Sequence, residues 1–474
     1  MTNYKKGLDF FKFTIEDLKQ IIHTALSKGG DYADIYIEDS QSHELALKDG
    51  EVNAQGAHID YGIGIRVLNG DQTGYAYSET PDIKDILKAA SVAAQISNES
   101  NSKTTYPVNI TPISTPSKYL VADSWIDKEI EEKIPILKEI NDLLFSSDSK
   151  IVKVIARLSD SFSKILFFNS NGEVFYDERP MVSLVISCIM QEGSKTENWS
   201  VSRSFRKDFS FITKELIEEM CNEAVQKCSI QFQASQPKGG QMAVVMGAGS
   251  SGILLHEAIG HAFEADFNRK DISIFSDKLG KKICNESINI IDDATLMYNR
   301  GSVNVDDEGV VGQKTYMVKD GILNSYLHDR ISAKYYNTQS TGNGRRESFR
   351  YAPIPRMRAT YMESGTAKEE DLIKSVTKGI FVDSFSNGQV QIGAGDFTFF
   401  VKSGYLIENG KLTTPIKDIN IIGDGPEALA DIVAVADNCT IDNGTWICGK
   451  EQYAPVSCGM PSILIKQLTV GGNN

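Results

Sequence analysis

The sequence lacks a long hydrophobic run. Its longest apolar block, MVSLVISCIM at residues 181–190, is about ten residues long, whereas a membrane-spanning helix needs roughly twenty. The block is therefore predicted to be a buried strand. The first twenty residues contain a pair of lysines but no apolar segment of signal-peptide length, so we expect no export signal.

Positive charge and closely spaced cysteines are also scarce. The chain has 49 Lys and Arg against 63 Asp and Glu, a formal net charge of -14. This excess argues against a nucleic acid or an anionic membrane as the main partner. The cysteine count is odd, and the seven positions, 188, 221, 228, 284, 439, 448 and 458, show no compact disulfide spacing. We therefore expect reduced thiols and a cytoplasmic location.

What is present indicates a folded α+β protein. A chain of 474 residues is too long for one ordinary domain. The polar stretch QASQPKGG at 233–240 separates a helical pattern from a strand pattern, which predicts a boundary there. We expect an N-terminal domain over 1–235, with helices on an antiparallel sheet, and a β-rich C-terminal domain over 236–474 that carries one metal-binding helix.

The patterns in the first domain predict a helix, an antiparallel meander and three further helices. Thr14 and Asp17 form a candidate capping box. The first predicted helix begins at residue 15 and runs to a stop at Gly29-Gly30, and the other three cover 81–96, 127–144 and 213–228. The first strands are predicted near 33–38 and 59–68, a loop spans 98–117, and Asn171-Gly172 joins two later strands. In the second domain, short strands dominate, and only 369–376 is predicted as a further helix.

A glycine-rich loop precedes the expected metal-binding helix. Residues 247–252, GAGSSG, match the G-x-G-x-x-G pattern of dinucleotide-binding loops. A dinucleotide site also needs an acidic residue about twenty positions later at the end of a strand, and that position falls near Asp271 in a polar stretch with no strand. We interpret the loop as a structural turn, with binding of a substrate carbonyl or carboxylate by its N–H groups as a minor alternative.

The helix that follows carries His256, Glu257 and His261 among apolar residues. Buried imidazoles need partners, and a metal ion supplies one. Histidines five positions apart lie about 140° apart on a regular α-helix, so they cannot share one ion. A single π-type turn would restore a common face, and Gly260 would permit it. We therefore predict a bulge between Glu257 and His261.

Two histidines do not complete a catalytic zinc site, which usually has three protein ligands and a water. The residues alone do not identify the third ligand. The candidates are two carboxylates just downstream and three cysteines near the C-terminus: Glu264, Asp266, Cys439, Cys448 and Cys458.

The second half resembles the TldD branch of the TldD/PmbA family of peptidases. The resemblance covers LHEAIGH at 255–261, E-x-DFNR at 264–269, GSV at 301–303, DDEG at 306–309, TGNGRR at 341–346, PRM at 355–357, CGKE at 448–451 and LTVGG at 468–472. These segments occur in order across the whole second domain. The first domain resembles the family only in its pattern of helix, meander and helix.

The resemblance implies a zinc metallopeptidase whose metal ligands are His256, His261 and Cys448. Glu257 would then act as the general base for a metal-bound water, on short or unfolded peptides. Glu264 is a candidate for orienting a ligand imidazole. The family also implies a dimer, either of this chain with itself or with a metal-free relative. The sequence leaves two alternatives for Arg345 and Arg346. They bind a peptide carboxylate, or they are solvated charges.

Two other functions remain as alternatives. One is a binding scaffold with a structural metal, which a fourth protein ligand such as Cys458 would favour. The other is a dinucleotide-dependent oxidoreductase, for which no second βα unit with a terminal acidic residue is evident.

Overall fold

Two blocks of β-structure, one in each half of the chain, organise the fold. The computed structural model describes residues 4–97 and 109–472. The N-terminal half forms one seven-stranded sheet flanked by helices, and the C-terminal half forms a seven-stranded sheet, a six-stranded sheet and two small hairpins. No helix in these two ranges is long and apolar enough to cross a membrane.

The N-terminal sheet is built from long antiparallel hairpins. Its strands are β1 Tyr32–Lys48, β2 Glu51–Asn69, β3 Gln72–Ser78, β4 Thr111–Pro112, β5 Ile151–Asn169, β6 Glu173–Glu192 and β7 Lys195–Phe205. They pair in the order β3-β2-β1-β5-β6-β7, and the short β4 adds in parallel to the start of β6. The helices are α1 Tyr4–Phe11, α2 Ile15–Ala25, α3 Ile83–Ala93, α4 Ile130–Ser147 and α5 Lys214–Gln231, with 3₁₀ turns at Ala94–Ile96, Trp125–Asp127 and Phe209–Phe211.

These helices cover the sheet in two groups. Helices α2 and α3 pack with the first part of β1, where Ile35 is fully buried, and α4 and α5 belong to a second core that includes Leu47 and Leu184. Apolar burial of this kind contributes about 25 cal/mol per Å². Because each core lies on a different stretch of the same long strands, the sheet joins them into one unit.

The C-terminal half is rich in strands, five of which close into a barrel. Its strands are β8 Gly240–Met246, β9 Ile290–Asp293, β10 Lys314–Lys319, β11 Ile322–Leu323, β12 Gly344–Arg345, β13 Ile354–Pro355, β14 Ala359–Met362, β15 Lys378–Val390, β16 Asp396–Glu408, β17 Lys411–Ile416, β18 Ile419–Asp424, β19 Ile432–Val435, β20 Thr440–Asp442, β21 Ile447–Lys450, β22 Gln452–Pro455, β23 Ser457–Met460 and β24 Ile463–Val470. Five of them close a ring in the order β15-β8-β24-β18-β16, because β15 also pairs with β16. A second sheet has the order β11-β10-β9-β14-β23-β20, and β12–β13 and β21–β22 are separate hairpins.

Short helices connect these strands. They are α6 Ala265–Arg269, α7 Arg330–Tyr335, α8 Glu369–Ser375 and α9 Gly425–Ala430, preceded by a 3₁₀ turn at Ser250–Gly252, a π-helix at Leu255–Gly260 and a 3₁₀ turn at His261–Phe263. The helix predicted at 369–376 is α8. The expectation of no helix other than α8 and the metal-binding one was wrong, since α6, α7 and α9 are also present. These helices have only five or six residues, which is too short for a helical periodicity to show in the sequence.

The four helices predicted in the first domain are present. The capping box forms, with Thr14 accepting from the Asp17 N–H and the Asp17 carboxylate accepting from the Thr14 N–H. The strands predicted at 33–38 and 59–68 are too short, since β1 and β2 run to seventeen and nineteen residues. The block 181–190 lies within β6 as a largely buried strand. Of the loop predicted at 98–117, residues 98–108 lie outside the described ranges.

A buried ion cluster joins the two halves of the chain. Arg66 on β2 donates from Nε to Asp34 on β1 at 2.8 Å and from Nη1 to Glu308 of the C-terminal half at 2.5 Å, and its Nη2 also donates to Asp34. All three side chains are fully buried. Since every guanidinium nitrogen of Arg66 has a carboxylate partner, the desolvation cost of these charges is offset within the cluster.

Candidate metal centre

The glycine loop turns β8 tightly into the helix that carries the histidines. A Cβ atom on Gly252 would lie 2.4 Å from the backbone nitrogen of Gly459, and Gly249 has φ of +83°. These glycines therefore serve close packing and a left-handed turn. Strand β8 pairs with β15 and β24 in the barrel, not in a parallel βαβ sheet. The structural-turn interpretation is favoured, and the dinucleotide-binding alternative has no fold to support it.

The predicted bulge is present as a π-helix. Residues Leu255–Gly260 are π-helical, and the His261 N–H donates to the carbonyl oxygen of His256, five residues earlier. This i→i+5 bond adds one residue to the turn and brings the two imidazoles together, with ring centroids 5.1 Å apart. A Cβ atom on Gly260 would lie 2.1 Å from the sulfur of Met357, so any other residue at this position would force the Met357 side chain to move.

Cys448 reaches the histidines from the β21–β22 hairpin. Its Sγ lies 3.2 Å from Nε2 of His261, and one ligand atom from each of His256, His261 and Cys448 falls within 4.8 Å of the others. The hairpin is held by Arg356, which donates to the carbonyl oxygens of Cys448 at 2.7 Å and Gln452 at 2.8 Å. Among the described residues, these three form the one group of His, Cys, Asp or Glu side chains arranged to hold a metal ion.

The donor set fits a metal ion. His256 is 2% exposed, and neither of its ring nitrogens has a hydrogen-bond partner in the described structure. An unpartnered buried polar group is costly, and a metal bond would remove that cost. Burial raises the pKa of the Cys448 thiol, but the neighbouring His256 and His261 imidazoles outweigh burial and bring that pKa down to about 4. A thiolate with two imidazoles is a donor set that suits zinc.

A carboxylate holds His261 in position. Glu264 Oε2 lies 2.9 Å from Nδ1 of His261 and 3.1 Å from Nζ of Lys450, and Glu264 is fully buried. Burial raises the pKa of Glu264, but Lys450 and His261 bring it down to about 2, so the carboxylate is ionised. Burial lowers the pKa of His261, but the charges and hydrogen bonds of Glu264 and Cys448 outweigh burial and raise that pKa. A carboxylate on Nδ1 leaves Nε2 directed at the thiolate, as in metal sites where it fixes the imidazole.

Glu257 lies on the same π-helix turn as His256. Its side chain is half-buried, and no other described residue forms a hydrogen bond or an ion pair with it. Its charge contributes, after burial and Asp442, to the raised pKa of Cys458 on β23. Glu257 is thus a carboxylate beside the candidate ligands with no structural partner.

The other candidate ligands lie elsewhere. Asp266 pairs with Lys450 at 2.8 Å, the Cys439 sulfur lies 3.1 Å from the carbonyl oxygen of Met362, and Cys458 is buried on β23 outside the three-residue group. Sequence reasoning did not assign roles to Lys450 and Arg356. Both lie in segments that carry the family resemblance, so that resemblance was the available signal.

Arg345 and Arg346 are not solvated charges. They are 5% and 7% exposed. Arg345 donates to the carbonyl oxygens of Met357 and Pro455, and Arg346 to that of Asp307. Their burial excludes the solvated-charge alternative for both residues, and binding of a peptide carboxylate stays a prediction.

Comparison with known proteins agrees with the site. Family models for the PmbA/TldA metallopeptidase match in three parts: domain 1 at residues 33–97, the central domain at 123–230 and the C-terminal domain at 239–472. The "Metalloprotease TldD homolog" of Haemophilus influenzae is 36% identical, over 94% of this chain and 93% of that protein. The "Zinc metalloprotease TldD homolog" of Saccharolobus solfataricus is 29% identical, over 95% of this chain and 99% of that protein.

A solved structure shares the fold. The crystal structure of TldE from Thermococcus kodakarensis superposes with a TM-score of 0.73 at 19% identity, and covers 96% of this chain and 100% of that one. The similarity therefore extends over both halves of the molecule. With these matches over nearly the whole chain and the His-His-Cys group in place, the protein belongs to the PmbA/TldD family of metallopeptidases.

Proposed function

We propose that this protein is a zinc-dependent peptidase that hydrolyses peptide bonds in short or unfolded peptides. The observation that carries the proposal is the buried group of His256, His261 and Cys448, whose ligand atoms lie within 4.8 Å of one another while His256 has no other partner. The zinc in the name of the Saccharolobus solfataricus relative supports the choice of metal.

The three ligands would hold zinc and leave one coordination position open. When bound, zinc supplies a Lewis acid that polarises a peptide carbonyl and lowers the pKa of water. Glu264 keeps the His261 imidazole oriented through its 2.9 Å contact with Nδ1. Arg356 and Lys450 hold the hairpin that carries Cys448. The protein's task is to keep these donors in one geometry.

Glu257 is the proposed general base. It follows His256 directly in the chain, is half-buried and has no competing hydrogen bond among the described residues. Its carboxylate can take a proton from the attacking water and deliver it to the leaving amine, a role that typically contributes 10²–10⁴-fold to the rate.

The peptide substrate would bind in extended form beside an edge strand. Strand β20 is at the edge of its sheet, next to β23. A Cβ atom on Gly249, in the loop before the π-helix, would lie 3.6 Å from the side chain of Thr440 on β20. An edge strand can accept an extended peptide through main-chain hydrogen bonds. We propose that the protein works as a dimer, with a second copy or a metal-free relative, so that the site admits unfolded chains only.

The seven cysteines are all free thiols. Free thiols persist in reducing compartments, which supports the proposed cytoplasmic location.

Glu257→Gln tests the mechanism. We expect this variant to keep about one zinc per chain, measured by elemental mass spectrometry, and to lose about 10²–10⁴-fold in kcat on an unfolded peptide. Glu286→Gln, at an exposed glutamate, is the matched control and should keep full activity. A Glu257→Gln variant with normal kcat would remove the general-base assignment. A zinc-loaded wild-type protein that cleaves no unfolded peptide would favour the structural-metal scaffold.

A further inference from the structure

A cavity of about 340 Å³ lies between the two halves of the chain and is lined by six arginines. They are Arg179 and Arg206 from the N-terminal half, and Arg300, Arg345, Arg346 and Arg358 from the C-terminal half. Three carboxylates, Glu38, Asp307 and Glu347, line the same cavity. Its walls therefore carry more positive than negative charge, in a protein whose net charge is -14.

Only two of the six arginines make ion pairs. Arg179 pairs with Asp177 at 3.0 Å and Asp307 at 2.6 Å, and Arg346 pairs with Asp34 at 3.4 Å. The other four, Arg206, Arg300, Arg345 and Arg358, are 2–6% exposed and form no ion pair within the described ranges.

Neutral groups hold the four unpaired guanidinium groups. Arg300 donates to Ser204 Oγ at 2.5 Å and to the carbonyl oxygen of Trp446 at 3.1 Å. Arg345 and Arg358 likewise donate to backbone carbonyl oxygens, and Nε of Arg206 has no partner. Burial and, second, the charge of Arg206 lower the pKa of Arg300 to about 10. These buried positive charges repel one another. Asp306 and Asp307 offset part of the charge of Arg358, but none of the four guanidinium groups forms an ion pair within the described ranges.

We propose that this cavity binds an oxyanion, a carboxylate or a phosphate group, whose charge balances the unpaired arginines. A guanidinium group presents a planar fork of N–H donors that matches carboxylate and phosphate oxygens. A cation would be repelled, and a neutral ligand would leave the buried charges uncompensated. No other ligand class satisfies both the charge and the donor geometry.

The cavity borders the hairpin that carries Cys448. Ile447, Tyr453 and Pro455 line it, and Ile447 and Tyr453 are 63% and 66% exposed, so solvent reaches the cavity. Cys448 alternates with Ile447 along β21 and therefore faces the other side of the hairpin. Because Arg345 donates to the carbonyl oxygen of Pro455 at 2.8 Å, an anion bound to Arg345 would also fix the hairpin behind the metal site.

Two sources could supply this group. One is a free anion such as inorganic phosphate, and the other is the terminal carboxylate of a peptide. The second source rests on the proposed peptidase function, whereas binding of the oxyanion itself does not.

The first experiment measures the melting temperature of the full chain in sodium phosphate and in sodium chloride at equal ionic strength. A ligand that binds only the native state raises the melting temperature with its concentration. We expect phosphate to do so, and we expect Arg206→Gln and Arg300→Gln to lose at least half of the phosphate-dependent shift. Arg206→Lys and Arg300→Lys, which keep the charge without the fork, replace any glutamine variant that does not fold.

Arg203→Gln is the matched control, because Arg203 lies on β7 near Arg206 but pairs with Glu219 and Glu223. It should keep the full phosphate shift. No phosphate effect in the wild type, or an equal effect in the variants at both arginines, would overturn the proposal.

A second experiment identifies the source. Peptides with free and amidated C-termini are compared in KM, with and without phosphate. A higher KM for the amidated peptide, together with competition by phosphate, assigns the cavity to the substrate carboxylate. Equal KM values, with the phosphate shift intact, assign it to a free anion. Failure of hydrolysis alone would count against the peptidase function, and the thermal shift would still test the cavity.

Discussion

Two buried polar clusters differ in how their hydrogen-bonding groups are satisfied. At the junction of the two halves, every guanidinium nitrogen of Arg66 donates to Asp34 or Glu308. At the π-helix, His256 is equally buried, but both of its ring nitrogens lack a partner. The first cluster is complete within the chain, whereas the second is complete only with a bound metal ion. Burial of polar groups alone therefore does not separate structural from functional residues. At the π-helix, the second observation is that the unpartnered imidazole of His256 lies beside two other side chains that can bind a metal ion.

The largest effect is expected from breaking the incomplete cluster. His256→Ala removes one metal ligand, so zinc content should fall far below one per chain and peptide hydrolysis should be lost. Stability in the presence of a chelator should change little, because His256 makes no hydrogen bond in the described structure. His58→Ala, at an exposed histidine, is the control. Full zinc content in the His256 variant would contradict the ligand assignment.

Breaking the complete cluster should act on stability instead. Glu308→Ala removes one of the two carboxylates that pair with Arg66 and leaves Nη1 of this buried guanidinium without its partner; breaking a buried ion pair typically costs about 3–5 kcal/mol. Urea denaturation should show that loss, while the folded variant keeps its zinc. Glu79→Ala removes a carboxylate from an ion pair with Arg350, where Glu79 is 56% exposed, and should cost about 0–1 kcal/mol. Equal losses in the two variants would show that the buried cluster is no more important than a surface pair.

A milder change sharpens the comparison at the edge of the metal site. Glu264→Gln keeps an acceptor for His261 Nδ1 but removes the negative charge. Replacing a carboxylate that orients a metal-bound imidazole typically weakens metal affinity by about 10–100-fold. Chelator competition with the purified protein measures this directly. An unchanged zinc affinity would mean that Glu264 serves only the ion pair with Lys450.

The smallest effect concerns Glu38, at the arginine cavity. Burial raises the pKa of Glu38 to about 7, from 4.5 for an ordinary glutamate. Because the folded-state pKa lies above the unfolded one, this carboxyl lowers stability progressively as pH rises from 4.5 through 7. The free energy of unfolding of Glu38→Gln, taken relative to that of the wild type, should therefore be higher at pH 8 than at pH 4 by on the order of 1 kcal/mol. Urea denaturation of both proteins at both pH values measures this difference. Glu44→Gln, exposed on the same strand, should show no such gain.

The sequence predicted the local features of the site well. The five-residue spacing of His256 and His261 cannot place both on one face of an α-helix, and the π-helix at Leu255–Gly260 is the resulting geometry. Likewise, the capping box at Thr14 and the turn at Asn171-Gly172 are encoded within a few residues. Such features depend on neighbours in the chain, so local reasoning reaches them.

Long-range pairing was beyond such reasoning. The barrel closes because β15 pairs with both β8 and β16, and no local pattern specifies that ring. Cys448 is 187 positions from His261, so only the family resemblance selected it from three cysteines. Burial of Arg345 and Arg346 depends on the packing of the two halves against each other, which the glycine-rich stretch around them does not reveal.

The order of the ligands along the chain also has a consequence for synthesis. The two histidines precede Cys448 by about 190 positions, and a ribosome adds about 5–20 residues per second. The thiolate therefore emerges roughly 10–40 s after the imidazoles. During that interval, the nascent chain carries an incomplete donor set. A chain released before β21 is made would lack the third candidate ligand, so prematurely terminated copies could not assemble the proposed metal site.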